Sequence, residues 1–426
     1  METNAVNTQL TPEFLESLSK EERTDLLEYL TNYPFIRWMI DPNRPYAKDL
    51  ERDSDGKIIV NVVKPHILEN MNYFRKPALA YKKYGKYTNL RPNGNPNSPY
   101  MKWLRKEVLK CWYGCKRPSD GEWITGYHYF YLNYSPIERA TTNIKDTNAV
   151  NRVVDFPDFY DGDYIFFHYI NQARYGGMYN EYKGGNHSAL IAARGKGKSF
   201  KVASMTTRNF VLGENIDVSE KVKSVIVASN TEYLKKDGTL NKVMAMTDFL
   251  ALNTQFPSSR LKSSTQEMHW VMGYKDTKNK DVSLGTRNEV IGLSLNNDSD
   301  KARGKRSHLM VWEEFGMFPG FIDAWNTSRP NVEEGGYSFG QAIALGTGGT
   351  EGSDFSGALE MIYNPLGYNV YGVPNVFDKG TSGGSKSILF IGEYMNRKGC
   401  YDKDGNSDIV KAVLEEVKER VFIKYS

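Results

Sequence analysis

The sequence predicts an α/β protein whose mainly parallel sheet is covered by helices on both faces. From about residue 186 onward, short apolar runs of strand length alternate with segments of helix length. The first run ends in a glycine-rich turn, and the later runs are Val222–Ser229, Asn288–Leu295, His308–Trp312 and Gln341–Thr350. Strands buried on both faces are apolar at nearly every position, whereas half-exposed strands alternate. The continuous runs therefore favour a doubly covered parallel sheet.

Composition excludes several classes of protein. The 426 residues are 40% hydrophobic and 25% charged, which is ordinary for a globular chain with a buried core and excludes a wholly disordered or fibrous one. The net charge of +4 is too small to indicate a partner. Cys111, Cys115 and Cys400 are too few for a disulfide framework, and the N-terminus lacks a secretory signal. With no apolar run long enough to span a bilayer, we expect a soluble protein in a reducing cytoplasm.

A basic stretch runs from Arg75 to Arg117. It holds twelve Lys or Arg and a single acid, Glu107, with seven Tyr or Trp between them. Two interpretations stay open. The stretch is either a solvated basic surface, or a contact for nucleic-acid phosphates with aromatic rings packed beside them.

Two aromatic segments, Gly121–Tyr134 and Phe156–Tyr169, hold much of the aromatic excess. The favoured interpretation is a packed aromatic core at a domain seam, because large rings dominate buried packing. The alternative gives one ring of the second segment to stacking on a bound base.

The strongest local signal is the turn A-A-R-G-K-G-K-S, Ala192–Ser199. It matches the final G-K-S of the phosphate-loop pattern, while Ala192 stands where the first glycine of that pattern belongs. Backbone amides around Gly195–Ser199 would wrap phosphates beside the N-terminus of the following helix. Lys198 would reach the β- and γ-phosphates of ATP, and the Ser199 hydroxyl would ligate Mg²⁺.

Two carboxylates, Glu313 and Glu314, follow the apolar strand L-M-V-W. Parallel sheets place their ligands at the carboxyl ends of strands. Glu313 would hold Mg²⁺ through water, and Glu314 would orient and deprotonate the attacking water. Two strands separate Lys198 from these acids along the chain, so we expect an additional strand between theirs in the sheet. That arrangement is typical of ATPases that convert hydrolysis into motion.

The motif L-G-T-G-G-T, Leu345–Thr350, ends the next strand. Its candidate coupling residues are Gly346, Thr347 and Gly348. Thr347 would sense the γ-phosphate and pass its loss to a neighbouring segment. A plain glycine turn explains the motif equally well.

Two arginines are candidates for the residue that stabilises transition-state charge. Arg303 lies in S-D-K-A-R-G-K-R before the acidic strand and is a candidate arginine finger or DNA contact, unless the loop is merely solvated. Arg194 lies inside the phosphate loop. We favour Arg194, because it cannot move far from the γ-phosphate.

Together these motifs resemble the ATPase part of the large terminase subunit of tailed phages. The resemblance rests on R-G-K-G-K-S at 194–199, K-A-R-G upstream of V-W-E-E, and the L-G-T-G-G strand end. The aromatic block Gly126–Tyr134, with F-P-D-F-Y-D-G-D-Y ahead of the loop, further resembles the terminases of crAss-like phages. The match covers about residues 100–395.

The resemblance implies a Mg²⁺-dependent ATPase that threads double-stranded DNA through a portal protein into an empty capsid, in the host cytoplasm. It implies a homo-oligomeric ring docked on the portal, with a small terminase subunit as a further candidate partner. The family's nucleotide-binding residues fall on Arg194, Gly195, Lys196, Gly197, Lys198 and Ser199. Its acidic pair falls on Glu313 and Glu314, and its coupling motif on Gly346–Gly349.

Two features depart from the family pattern. The adenine-contacting Tyr-Gln pair falls on Tyr164 and Ile165, so the glutamine is replaced. The residues after Thr350 are too few for the RNase H-like nuclease that normally follows the motor. We therefore expect an N-terminal helical and basic/aromatic extension at 1–149, acting as a lid or adaptor, a phosphate-loop ATPase core at 150–395 and a C-terminal helix or linker at 396–426. A capping box at Ser19–Glu22 predicts helices near the N-terminus.

The leading hypothesis is thus an additional-strand ATPase that acts as a DNA-packaging motor. Two alternatives differ in class. One is a nucleotide-binding assembly protein with little hydrolysis, and the other is a helicase-like, DNA-dependent ATPase. The second is weaker, because the sequence shows no second motor-like half.

Overall fold

A computed structural model describes residues 68–142, 150–175, 186–214, 221–235, 237–295, 298–318, 320–347, 356–374, 386–393, 395–408, 411, 412 and 415. The predicted N-terminal helices, Gly348 and most of the predicted C-terminal helix lie outside the described residues. The α-helices of the described part are α1 Lys76–Tyr84, α2 Pro99–Tyr113, α3 Gly126–Tyr134, α4 Asp161–Tyr175, α5 Lys198–Leu212, α6 Thr239–Asn253, α7 Phe321–Ser328 and α8 Ser356–Tyr363.

The strands of the described part fall into a central sheet and several short antiparallel pairs. In chain order they are β1 Cys115–Lys116, β2 Trp123–Ile124, β3 Ile137–Thr142, β4 Val150–Asp155, β5 Ser188–Ala192, β6 Lys223–Ala228, β7 Arg260–Ser264, β8 His269–Met272, β9 Tyr274–Lys275, β10 Ser283–Leu284, β11 Glu289–Ser294, β12 Leu309–Glu313, β13 Glu333–Glu334, β14 Tyr337–Ser338, β15 Gln341–Gly346, β16 Val373–Pro374, β17 Lys386–Ser387 and β18 Leu389–Ile391.

The central sheet has eight strands in the order β18-β5-β15-β12-β6-β11-β8-β7. Neighbouring strands from β18 to β11 are parallel, whereas β8 and β7 are added antiparallel at one edge. The structure thus confirms the prediction of a mainly parallel sheet.

The strand between β5 and β12 is β15, which pairs in parallel with both. The predicted additional strand is therefore present. It is the strand that follows the acids in the chain, while β6 and β11, which lie between the loop and the acids in sequence, pair on the far side of β12. Both the phosphate-loop strand and the acidic strand thus have β15 as a neighbour, and their carboxyl ends share one edge.

Side chains of the central strands alternate between two hydrophobic cores. Along β12, Leu309 and Val311 belong to one core, and Met310 and Trp312 belong to the other. The first core includes buried residues of helices α2–α6, and the second includes residues of α7 and α8. Because both faces are covered, the strand is apolar at each of these positions, as the sequence predicted.

The aromatic helix α3 is buried along its whole length and packs against α5. The Tyr129 and Tyr134 hydroxyls donate to Glu107 Oε2 of α2 at 2.7 and 2.8 Å. Glu107, the single acid of the basic stretch, is only 3% exposed. The predicted aromatic core is present, and it includes the helix that follows the phosphate loop. No helix within the described ranges combines the length and apolar character needed to cross a bilayer.

Candidate functional site

The phosphate loop connects β5 directly to α5. Gly195 and Gly197 adopt left-handed backbone conformations, with φ of 77° and 69°. Glycine adopts such angles without the steric cost that other residues incur. Ala192 does not need to be glycine, because it is the last residue of β5 and does not have positive φ. The departure from the sequence pattern therefore falls at a position that tolerates a methyl group.

Lys198 opens α5 and is only 9% exposed. Its ammonium group donates to the carbonyl oxygens of Ala192 at 2.8 Å and Ala193 at 3.3 Å, and to Thr347 Oγ1 at 3.3 Å. Burial lowers the pKa of this lysine, while nearby Glu314 opposes the shift. Lys198 therefore joins the phosphate loop to the end of β15.

Glu314 turns its carboxylate toward the same threonine. Its backbone is left-handed, with φ of 52° and ψ of 48°, a conformation that costs a residue other than glycine about 1 kcal/mol or more. The Thr347 backbone N–H donates to Glu314 Oε2 at 3.0 Å, and the Thr347 hydroxyl lies 2.9 Å from the same oxygen. The threonine hydroxyl can thus accept from Lys198 and donate to Glu314.

Gly346 is the last residue of β15 and directly precedes Thr347. A Cβ atom at Gly346 would lie 2.9 Å from the ring of Phe315, which is fully buried. Glycine is therefore required here by the close approach of the residue that follows Glu314. The predicted coupling residues Gly346 and Thr347 lie beside the acids, whereas Gly348 falls outside the described residues.

Glu313 is more deeply buried than Glu314. It is 5% exposed and accepts a hydrogen bond from the Thr239 hydroxyl at the start of α6. Burial raises the pKa of the Glu313 carboxyl, and the threonine hydrogen bond opposes that shift.

The loop and the acids line one cleft of about 460 Å³, within the usual range for ligand sites. An adjoining space of about 350 Å³ shares Ser199 and Glu314 with it and includes Glu313. Most of the predicted site residues therefore come together around these two spaces: Arg194, Gly195, Lys196, Gly197, Lys198, Ser199, Glu313, Glu314 and Thr347. Arg194 is exposed at the rim and has no ion pair with any described residue.

Lys196 lines the cleft, but its ammonium group donates away from it, to the carbonyl oxygens of Glu393 and Met395. Burial lowers its pKa to about 8. The Lys196 carbonyl in turn accepts from Lys201, which forms a buried ion pair with Asp163 at 2.7 Å. The side chain of Lys196 thus anchors the loop to the segment around Glu393 and Met395.

Tyr164 does not reach the cleft, which corrects the sequence-based assignment of an adenine contact. It is 1% exposed in α4, and its hydroxyl donates to Glu122 Oε1 at 2.9 Å. Packing within the aromatic core determines its position. The aromatic side chains that do line the cleft are Phe200 and Tyr233, and Tyr233 is 42% exposed.

Arg303 lies outside the residues that line the cleft. Its side chain is 68% exposed and pairs with Asp300 at 3.0 Å, in the loop between β11 and β12. The contact of Arg303 with DNA or with a neighbouring subunit stays a prediction, and its exposure is compatible with either.

Tyr233, Thr239 and Lys242 are among the lining residues that sequence reasoning missed. All three follow the carboxyl end of β6, next to the acidic strand in the sheet. Their positions carry no motif, but the rule that ligands lie at the carboxyl ends of parallel strands applies equally to this connection.

Across the part of the chain that the structure describes, no group of three or more His, Cys, Asp or Glu converges as a metal site. Mg²⁺ needs few protein ligands, because it retains waters and binds substrate phosphates alongside one or two carboxylates. Ser199 and Glu313 line the same space and supply a hydroxyl and a carboxylate. These donors fit Mg²⁺.

The strand order and the shared cleft match the additional-strand class of phosphate-loop folds. No protein-family model matches the sequence, and no curated protein matches it. Among solved structures, a mutant of the large terminase ATPase domain of Thermus phage P74-26 is 15% identical, with a TM-score of 0.36 and coverage of 55% of this chain and 82% of that one. The large terminase of bacteriophage HK97 is 16% identical, with a TM-score of 0.35 and coverage of 60% of this chain and 47% of that one. A large terminase of a thermophilic bacteriophage, solved with ADP, is 10% identical, with a TM-score of 0.26 and coverage of 42% and 37%.

Proposed function

We propose that this chain hydrolyses ATP as the motor of a large-terminase type of machine that moves double-stranded DNA into a viral capsid. The observation that carries the proposal is the path Lys198–Thr347–Glu314 across the cleft. A coupled hydrolase needs a lysine that binds phosphate and a carboxylate that activates water. It also needs a residue that connects the two, and here Thr347 contacts both.

Each residue has a defined task in the proposed reaction. The loop amides and Lys198 bind the β- and γ-phosphates, and Arg194 at the rim supplies further positive charge as the γ-phosphate separates. An oxygen of the Glu314 carboxylate accepts the proton of the attacking water. Mg²⁺, held by Ser199 and Glu313, would polarise the phosphoryl oxygens. The loss of the γ-phosphate would change the partners of Lys198, and Thr347 would pass that change to the segment after β15.

The basic stretch supports double-stranded DNA as the partner. Nine of its twelve Lys and Arg are exposed, and these are Lys76, Lys82, Lys83, Lys86, Arg91, Lys102, Arg105, Lys106 and Lys116. Its single acid, Glu107, is buried among tyrosines, so the stretch exposes no carboxylate of its own. A surface of this kind gains free energy by releasing counterions from DNA phosphates.

The resemblance in motifs supports the remaining parts of the proposal. The machine would be Mg²⁺-dependent and of the crAss-like lineage, and it would act in the host cytoplasm. It would assemble as a homo-oligomeric ring on a portal protein, with a small terminase subunit as a further candidate partner.

We expect the purified chain to release phosphate from ATP in the presence of Mg²⁺, and linear duplex DNA to stimulate this release. The test is steady-state phosphate release with no DNA, with duplex and with single strands. Stimulation by single strands alone would favour the helicase-like alternative. Nucleotide binding without turnover under all conditions would favour the assembly protein.

Reversing two charges on α2, Lys102→Glu with Lys106→Glu, should weaken duplex binding by about tenfold or more at low salt. It should also reduce the slope of log affinity against log salt by about two, since each lost phosphate contact removes about one from the slope. Fluorescence anisotropy across a salt series measures both quantities. The matched control reverses Lys278 and Lys280, which are exposed in a different part of the fold. Equal affinities for the two double variants would identify the basic stretch as a solvated surface.

A further inference from the structure

The cleft contains a second lysine that no sequence motif indicates. Lys242 lies in the first turn of α6 and lines both the space around the phosphate loop and the space around Glu313. It is half-buried, and its ammonium group donates to the carbonyl oxygen of Asp237. The ammonium also lies 5.2 Å from the centre of the Phe200 ring. Phe200 follows Ser199, so Lys242 is held beside the Ser199 end of the loop.

The charges around this position favour a cation there in addition to Mg²⁺. Glu313 and Glu314 both line the space that Lys242 shares with Ser199. Two carboxylates would repel a triphosphate bound in the cleft, most strongly at the phosphate nearest to them. Lys198 already divides its hydrogen bonds between two loop carbonyls and Thr347. A further cation from the other side of the cleft would offset the negative charge that Lys198 does not reach.

The hydrogen bond to Asp237 is one that Lys242 can exchange at low cost. Its acceptor is a neutral carbonyl in the connection that precedes α6, and Asp237 also lines the space. A phosphate oxygen is a charged acceptor, and hydrogen bonds between charged partners are about twice as strong as neutral ones. The ammonium group also lies over the Phe200 ring, so Lys242 is already beside the loop before it changes partner.

We propose that Lys242 is a second phosphate-binding cation. It contacts the γ-phosphate of ATP and stabilises the charge on that group during hydrolysis, and it acts from within the same subunit. The inference rests on the proposed ATPase function and adds a residue to its site. The proposal also predicts selectivity between nucleotides, because ADP lacks the γ-phosphate that Lys242 contacts. Lys242 would therefore favour binding of ATP over ADP.

The test compares Lys242→Gln with Lys235→Gln, a nearby lysine whose ammonium contacts the Gln266 carbonyl outside the cleft. We expect Lys242→Gln to weaken binding of the slowly hydrolysed analogue ATPγS by about tenfold or more, as for the loss of one charge-assisted hydrogen bond, and to change ADP binding by less than about twofold. Single-turnover hydrolysis should fall by a similar factor or more. Lys242→Arg should restore part of the ATPγS affinity, and Lys235→Gln should match the wild type.

Calorimetric binding of ATPγS and ADP does not depend on turnover. It therefore tests the γ-phosphate contact of Lys242 separately from the proposed ATPase function. A wild-type chain that binds ATPγS but does not hydrolyse ATP contradicts the proposed function and leaves the selectivity of Lys242 measurable. A Lys242→Gln variant with unchanged ATPγS affinity and turnover overturns the inference. Equal losses of ATPγS and ADP binding also overturn it, since they would identify Lys242 as a structural support of the loop. A wild-type chain that binds neither nucleotide overturns both.

Discussion

Replacing Glu314 with glutamine is expected to reduce ATP turnover by about 100-fold or more, the range for loss of a general base. Glutamine has nearly the same shape as glutamate, and its side-chain oxygen can still accept the hydrogen bond from the Thr347 backbone N–H. It cannot accept a proton from water at neutral pH. ATP binding should therefore remain within about threefold of the wild type, because the contacts of the loop are intact.

Phosphate release and equilibrium binding of a fluorescent ATP analogue measure the two quantities separately. The control is Glu334→Gln, an exposed acid that pairs with Arg306 away from the cleft and should leave both unchanged. If Glu314→Gln hydrolyses ATP at the wild-type rate, the carboxylate is not the base, and the hydrogen bonds to Thr347 have a structural role only.

The central sheet was predictable because its strands are buried on both faces. Such strands are recognisable in the sequence as continuous apolar runs. Each of β6, β11, β12 and β15 begins and ends within a few residues of the predicted bounds. The edge hairpin of β7 and β8 was not predicted. The residues of β7 are mostly half-buried and polar (R-L-K-S-S), and β8 has only four residues, too few to establish a clear alternation.

The order of the strands was only partly predictable. The position of an additional strand between the loop and the acids follows from the class of ATPase that the motifs indicate. The identity of that strand depends on pairing across the chain, and β15 takes the position although it comes after the acids. Local pattern carries no information on such pairing, because both parallel neighbours of β12 are equally apolar.

The residues of the candidate site were likewise only partly predictable. Residues that are adjacent in one loop, such as Lys198 and Ser199, were predictable from spacing alone. Lys242 and Thr239 were not, because their approach depends on where the connection after β6 places α6. Tyr164 was assigned wrongly for a related reason: a tyrosine in a helical segment can face a ligand or the core, and its hydrogen bond with Glu122 comes from a residue 42 positions earlier.

Lys198→Ala is expected to abolish ATP binding at the concentrations used for the wild type, with kcat/KM reduced by about 100-fold or more. The loop amides would remain, but a buried cation that contacts both the loop and Thr347 would be lost. Lys198→Arg should also fail. The Lys198 side chain is nearly buried, and a planar guanidinium is larger than its compact ammonium group and presents its donors differently.

The same binding and turnover assays check this prediction, with Lys403→Ala as a control at an exposed lysine outside the cleft. Glu314→Gln and Lys198→Ala should differ in kind, because one removes a proton acceptor and the other removes a phosphate ligand. Loss of turnover in both, with loss of binding only in Lys198→Ala, would place phosphate binding and water activation on opposite ends of the path through Thr347. An Ala variant that binds ATP as tightly as the wild type would instead show that the ammonium group serves only to close its own loop, and the site would then need another phosphate ligand.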